Sequence, residues 1–166
     1  MLRTIHRLLC AALLTLAAVS TSPATVTAQE PEVHKVVYHA DFADPSRFSA
    51  MLTSIYNMAT TYENMLADYD IRIVFVAHGI RFVTDDPLKE TPFATDAALA
   101  ERRENLRGRL RSLVSTKGVK LELCEITRTQ INLDKAKLYD AVEFVQSGVV
   151  RIAELQRMGY AYLKVE

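Results

Sequence analysis

The feature that most constrains this chain is an alternation of short β-branched runs with longer apolar stripes of helical period. Lys35 to His39 (KVVYH) suits a buried strand, and Asp41 to Pro45 breaks it. Asp44 and Pro45 then open a helix, since the carboxylate accepts from free amides and proline loses nothing at the first helical position. Phe48, Met51, Leu52, Ile55, Ala59, Tyr62 and Leu66 recur at three- and four-residue steps, predicting one apolar helix face ending near Tyr69. Ile71 to Ala77 is almost wholly apolar and reads as a strand covered on both faces.

His78-Gly79 ends that strand, Ile80 to Val83 extends it briefly, and Thr84 to Pro92 forms the longest loop. Thr95 offers a cap for a helix carrying Leu99, Leu106, Leu110, Leu113 and Val114, which stops at Gly118. Val119 to Leu123 gives a third strand with Cys124 at its carboxyl end. Ile131 to Leu138 is a short helical pattern and Val142 to Val145 a fourth strand. Ser147 caps a helix through Met158, Gly159 ends it, and Tyr160 to Val165 completes the series. Short connections between alternating elements predict a three-layer α/β sandwich, flavodoxin-like, with a mostly parallel sheet of about five strands.

Residues 1 to 28 have a different character. Arg3 and Arg7 precede an apolar stretch from Leu8 to Val19, and small residues follow up to Val26-Thr27-Ala28, the pattern of a secretory signal peptide cleaved after Ala28. The apolar stretch is well short of the roughly 20 residues that a membrane-crossing helix needs. Cys10 lies at the start of that stretch rather than behind small residues at its end, so lipidation is not expected. The expected organisation is a signal peptide at 1–28, a polar linker at 29–34 and one domain at 35–166, in the periplasm or secreted, with no membrane attachment after cleavage.

Composition narrows the partners. Taking Arg3 and Arg7 from the 20 basic residues leaves 18 against 20 acidic ones, a balance that argues against nucleic acid or an anionic membrane as partner. Export would also remove Cys10 and leave Cys124 as the only thiol, so an intramolecular disulfide is excluded in the mature chain.

In open parallel sheets the functional crevice lies beyond the carboxyl ends of the strands. Cys124 and His78 share that address, and a thiol there meets free amides at a helix start, which favour the thiolate. The competing reading is a small buried filler, a common fate of free cysteine. His78 with Gly79 either orients a ligand or forms a turn. His39, at the end of the first strand, has a similar address. Thr127 and Thr129 read as loop or cap residues whose hydroxyls can bind an anion. Asn57, beside the apolar face of the first helix, suits either a buried hydrogen bond, an oligomer contact or plain solvation. One cysteine with scattered histidines lacks metal-ligand spacing, so no metal is expected. No phosphate-binding loop, His-Glu-x-x-His or Gly-x-Ser-x-Gly appears, and no cofactor is expected.

The segments KVVYH, VFVAHG, GVKLELC and SGVVRIAELQRMGYAYLKV together resemble the exported, periplasmic branch of the DsrE/DsrF-like family. The resemblance spans the region after the leader and implies the same α/β sandwich. It further implies a homo-oligomer, trimer or hexamer, with sulfur donor or acceptor proteins as partners. It puts Cys124 in the place of the cysteine that relays sulfane sulfur as a persulfide, the work of a sulfurtransferase or carrier. Exported members usually continue Cys-x-Asn-Thr; here Cys124-Glu125-Ile126-Thr127 keeps the threonine and lacks the asparagine. The alternative is a non-catalytic ligand-binding or assembly module with Cys124 as a buried structural residue. Glu125 would oppose ionisation of the thiol if its carboxylate turned inward.

Overall fold

A computed structural model describes residues 33–166, so the expected signal peptide and most of the linker lie outside the described residues. Five strands, β1 (His34–Ala40), β2 (Tyr69–Phe75), β3 (Lys120–Cys124), β4 (Val142–Val145) and β5 (Ala161–Leu163), form one sheet in the order β4-β3-β2-β1-β5. All neighbours pair in parallel. Four α-helices join them: α1 (Pro45–Asn64), α2 (Ala97–Lys117), α3 (Glu125–Gln130) and α4 (Gly148–Arg157). The three-layer α/β architecture read from the sequence is the one observed.

Alternation along each strand sorts the side chains into two faces. Val36, Tyr38, Ala40, Ile71, Ile73, Phe75, Leu121 and Leu123 join Phe48, Met51, Leu52 and Ile55 of α1 and the buried leucines of α2 in one large core. Val37 and Val74 point the other way, into a small cluster with Ile152 and Leu155 of α4 and with Tyr160. The chain steps in one direction from β1 to β4, then reverses across the α4 face to reach β5. The reversal opens a crevice at the carboxyl ends of β3 and β4, where such sheets bind their ligands. Flavodoxin-type sheets run 2-1-3-4-5 and place this point elsewhere.

Local chemistry sets the helix ends. Asp44 Oδ1 accepts from the Ser46 amide at 2.7 Å, with Pro45 in the first turn, as expected of the Asp-Pro pair. Helix α1 stops at Asn64, five residues before the expected end at Tyr69. Leu66 adopts φ 53 and is 95% exposed, while Tyr69 and Asp70 are taken into β2 opposite His34 and Lys35. The strand register wins because it satisfies backbone groups that a frayed last helical turn would leave to water.

Strand β1 begins at His34, one residue inside the expected linker, and His34 stacks on Tyr62 with ring centroids 4.5 Å apart. Asp96, rather than Thr95, caps α2 by accepting from the Leu99 amide at 2.8 Å; Thr95 instead accepts from Arg103. Ala77–Phe82 is a 3-10 helix and not a strand continuation, and Ala77 takes φ 49 to turn the chain out of the sheet. The helix expected at 131–138 lies earlier, as α3 directly after Cys124. Only a 3-10 turn, Lys135–Lys137, remains in the expected segment. The apolar residues that suggested it, Leu133 and Leu138, are buried individually in the large core.

Candidate functional site: a thiol between two helix starts

Cys124 is both the last residue of β3 and the residue before α3. It is 4% exposed and faces the α4 side of the sheet, in line with Glu122. Across the crevice Cys124 pairs in register with Val145 of β4, and the chain then turns at Ser147 into α4. Gly148, the first residue of α4, sits directly against the cysteine: a Cβ there would lie 2.5 Å from Val76 Cγ2 and 3.1 Å from Cys124 Cβ. Only glycine lets the start of α4 approach the thiol this closely.

Two opposing effects act on the thiol. Burial raises its pKa, but hydrogen bonding from the Gly148 amide, the amide and hydroxyl of Thr127 and the Ile126 amide outweighs burial and holds the thiol below its ordinary value. These groups belong to the first turns of α3 and α4. Thr127 Oγ1 is itself fixed by accepting from the Ala77 amide at 3.0 Å, which ties the turn after β2 to α3.

Glu125 does not work against this arrangement. Its carboxylate accepts from Arg128 Nη2 at 2.6 Å and Nε at 2.9 Å, and Lys135 Nζ stands 3.4 Å away, so one cation of α3 and one from the turn after it hold the charge.

The other residues singled out in the sequence are distributed unevenly. Thr127 meets Cys124. Gly79 serves the backbone: a Cβ there would collide with the Ala40 carbonyl oxygen, and its amide donates to Val76 O at 2.9 Å. His78 packs edge-on against Phe93, with centroids 5.2 Å apart, and is not among the groups acting on the thiol. His39 is hydrogen-bonded through Nδ1 to the Tyr162 hydroxyl at 3.0 Å. Asn57 is exposed on α1, across the sheet from the cysteine.

A cavity of about 550 Å³ lies at the crevice, lined by Ile126, Val145, Gln146, Ser147, Val150, Arg151 and Glu154, and Cys124 itself does not line it. Ile126, Val149 and Val150 leave an exposed apolar rim beside it. Among the described residues no group of three or more His, Cys, Asp or Glu converges as a metal ion would require.

Sequence reasoning missed Gly148, Glu122, Arg72 and Arg151. Glu122 is 1% exposed and accepts from Arg151 Nε and Arg72 Nη1, each at 2.6 Å. Arg72 continues to Asp70 at 3.0 Å, and Asp70 also accepts from Lys120 and Tyr160. The available signal was a glutamate inside a run otherwise suited to a buried strand, a position that demands a cationic partner.

An all-parallel α/β domain with a helix-capped thiol at the reversal point of its sheet defines a class of small strand-end cysteine proteins. The chain belongs to the DsrE/DsrF-like family, whose description matches residues 35–165. Two solved structures share the fold. One is a protein of unknown function, MTH1491, from Methanobacterium thermoautotrophicum, at 23% identity and TM-score 0.61. The other is the ychN protein from E. coli, at 16% identity and TM-score 0.51. Each alignment covers 79% of this chain and 98% of the other. No curated protein is significantly similar in sequence.

Proposed function

We propose that this is an exported sulfur-handling protein in which Cys124, as thiolate, takes up sulfane sulfur and passes it on as a persulfide. The observation that carries the reading is the seating of Cys124 at the carboxyl end of β3, directly against the first residue of α4, in a family associated with sulfur relay. In the loading step the Cys124 thiolate attacks the outer sulfur of a donor R–S–SH. A Cys124 Sγ–S bond forms, the donor S–S bond breaks, and RS⁻ leaves with the electron pair. Attack by an acceptor thiolate on the same outer sulfur reverses the exchange and returns Cys124 as thiolate.

The amides that favour the thiolate are fixed in place, so they need no reorganisation as charge leaves and returns to Sγ. Donor and acceptor proteins are the proposed partners, along with a homo-oligomer, trimer or hexamer, on the family resemblance. The exposed Ile126, Val149 and Val150 support a protein contact next to the thiol. The leader pattern of residues 1 to 28 supports the periplasm or the exterior as location.

Incubating the purified protein with polysulfide or thiosulfate and weighing it tests the reading. The wild type should gain about 32 Da per sulfur and Cys124→Ser should not. Failure of the wild type to load, or equal loading of the variant, sinks it. One observation favours the rival reading of a binding or assembly module: Cys124 is only 4% exposed. A thiol that resists alkylation in the native protein, with assembly unaltered in Cys124→Ala, would establish that rival.

A further inference from the structure

Glu122 stands on β3 two residues before Cys124 and on the same face of the sheet. A carboxylate this deeply buried needs partners, and it has a bidentate one. Arg151 donates to it through Nε at 2.6 Å and Nη2 at 2.9 Å, while Arg72 donates from β2 at 2.6 Å. A two-point arginine–carboxylate pair fixes orientation as well as distance.

Arg151 lies three residues after Gly148, so the pair clamps the first turn of α4, whose first residue sits directly against Cys124. The backbone of Gly148 also packs there, on Val74, Val76 and Cys124. Ser147 makes no side-chain cap bond, and the apolar contacts of α4, through Ile152 and Leu155, come further along the helix.

We propose that Glu122 is a positioning residue: through Arg151 it holds the Gly148 amide on the Cys124 sulfur and so maintains the reactivity of that thiol. The inference rests on the reading of Cys124 as the sulfur-carrying thiolate. Most of the other charged or titratable groups on the surrounding elements are paired elsewhere, with Glu154 and His78 among the exceptions. On α3, Glu125 is held by Arg128 and Lys135; on β2, Arg72 is shared between Asp70 and Glu122. His39 on β1 bonds Tyr162, and His78 lies against Phe93. Glu154 of α4 lines the crevice cavity.

Positioning and direct charge effects have opposite signs here, which makes the role testable. A negative charge acting across space disfavours the thiolate, so neutralising Glu122 would make the thiol more acidic. Loss of the clamp would release the Gly148 amide and make it less acidic.

The experiment is the pH profile of Cys124 alkylation by iodoacetamide in wild type, Glu122→Gln and Arg151→Lys, with melting temperatures alongside. Arg151→Lys keeps the positive charge and loses the two-point geometry, and it carries the test alone if Glu122→Gln does not fold. Both variants should move the alkylation midpoint upward by about half a unit to one unit, a roughly three- to tenfold smaller thiolate fraction below the midpoint. A downward move in Glu122→Gln, or unchanged midpoints with only a lower melting temperature, overturns the proposal. A wild-type midpoint at the ordinary thiol value would instead overturn the site reading itself, and this inference with it.

Discussion

The two faces of the sheet are built from the same five strands and held by different physics. Beneath α1 and α2 every inward strand residue from Val36 to Leu123 is apolar, and the helices answer with Phe48, Met51, Leu52, Ile55 and four leucines. Beneath α4 the apolar contact shrinks to Val37, Val74, Val76, Ile152, Leu155 and Tyr160, and the same face also carries His39, Asp70, Arg72, Glu122 and Cys124. Burying a large aliphatic or aromatic side chain contributes about 1.5–3 kcal/mol, so the first face supplies most of the stability. A buried ion pair adds little net stability against its desolvation cost, but it is directional. The second face therefore holds geometry, and the thiol is on it.

Removing a large buried side chain of the first face should separate the two roles most clearly. Phe48 stacks on Phe82 with centroids 4.1 Å apart and is fully buried. Phe48→Ala is expected to cost about 3–5 kcal/mol in denaturant unfolding, without moving the alkylation midpoint of Cys124 in the folded protein. A moved midpoint would mean that the faces are coupled and would break the comparison.

Acid should act mainly on the second face. For both Asp70 and Glu122 burial pushes the pKa up, and hydrogen bonds from cationic neighbours more than reverse it, leaving each below its ordinary value of 3.8 or 4.5. With folded values depressed, the unfolded state takes up protons first. Their stabilisation is therefore full above the ordinary carboxylate range and is lost as pH falls through the folded values. Melting temperature should drop below about pH 4 more steeply in wild type than in Glu122→Gln. Parallel curves would show that the network is not the acid-sensitive part.

The smallest expected effect sharpens the comparison within the site. Thr127→Val keeps the side chain's shape and removes the hydroxyl that accepts from Ala77 and donates toward the thiol. It should cost about 1 kcal/mol in stability and raise the alkylation midpoint. A midpoint equal to wild type would leave the backbone amides as the only donors that matter.

The element order was legible because each strand is a short run of apolar, mostly β-branched or aromatic residues and α1 has a periodic face with a readable start at Asp44-Pro45. The misplaced helix near residue 131 shows the limit. Leu133 and Leu138 are apolar because loop residues plug the core, a pattern that periodicity cannot distinguish from a short helix. Half of the candidate site was legible as well. Cys124 and Thr127 are three residues apart across a strand-to-helix junction, and so they stay together in any fold that forms that junction. His78 was marked by its strand-end address and Asn57 by its place beside the apolar face of the first helix; one turned to Phe93 and the other stayed in solvent.

The sequence by itself determined the alternation of strands and helices, the position of Cys124 at a strand end, and the need for Glu122 to find a cation. Each follows from local preferences or from the cost of burying a charge. Which cation it finds, and which amides reach the thiol, was decided only by the tertiary structure. The reversal of the chain between β4 and β5 brings Gly148 to Cys124, and Arg151 to Glu122, across 24 and 29 residues of sequence. Contacts over such separations are chosen by how the layers pack, and no window along the chain encodes them.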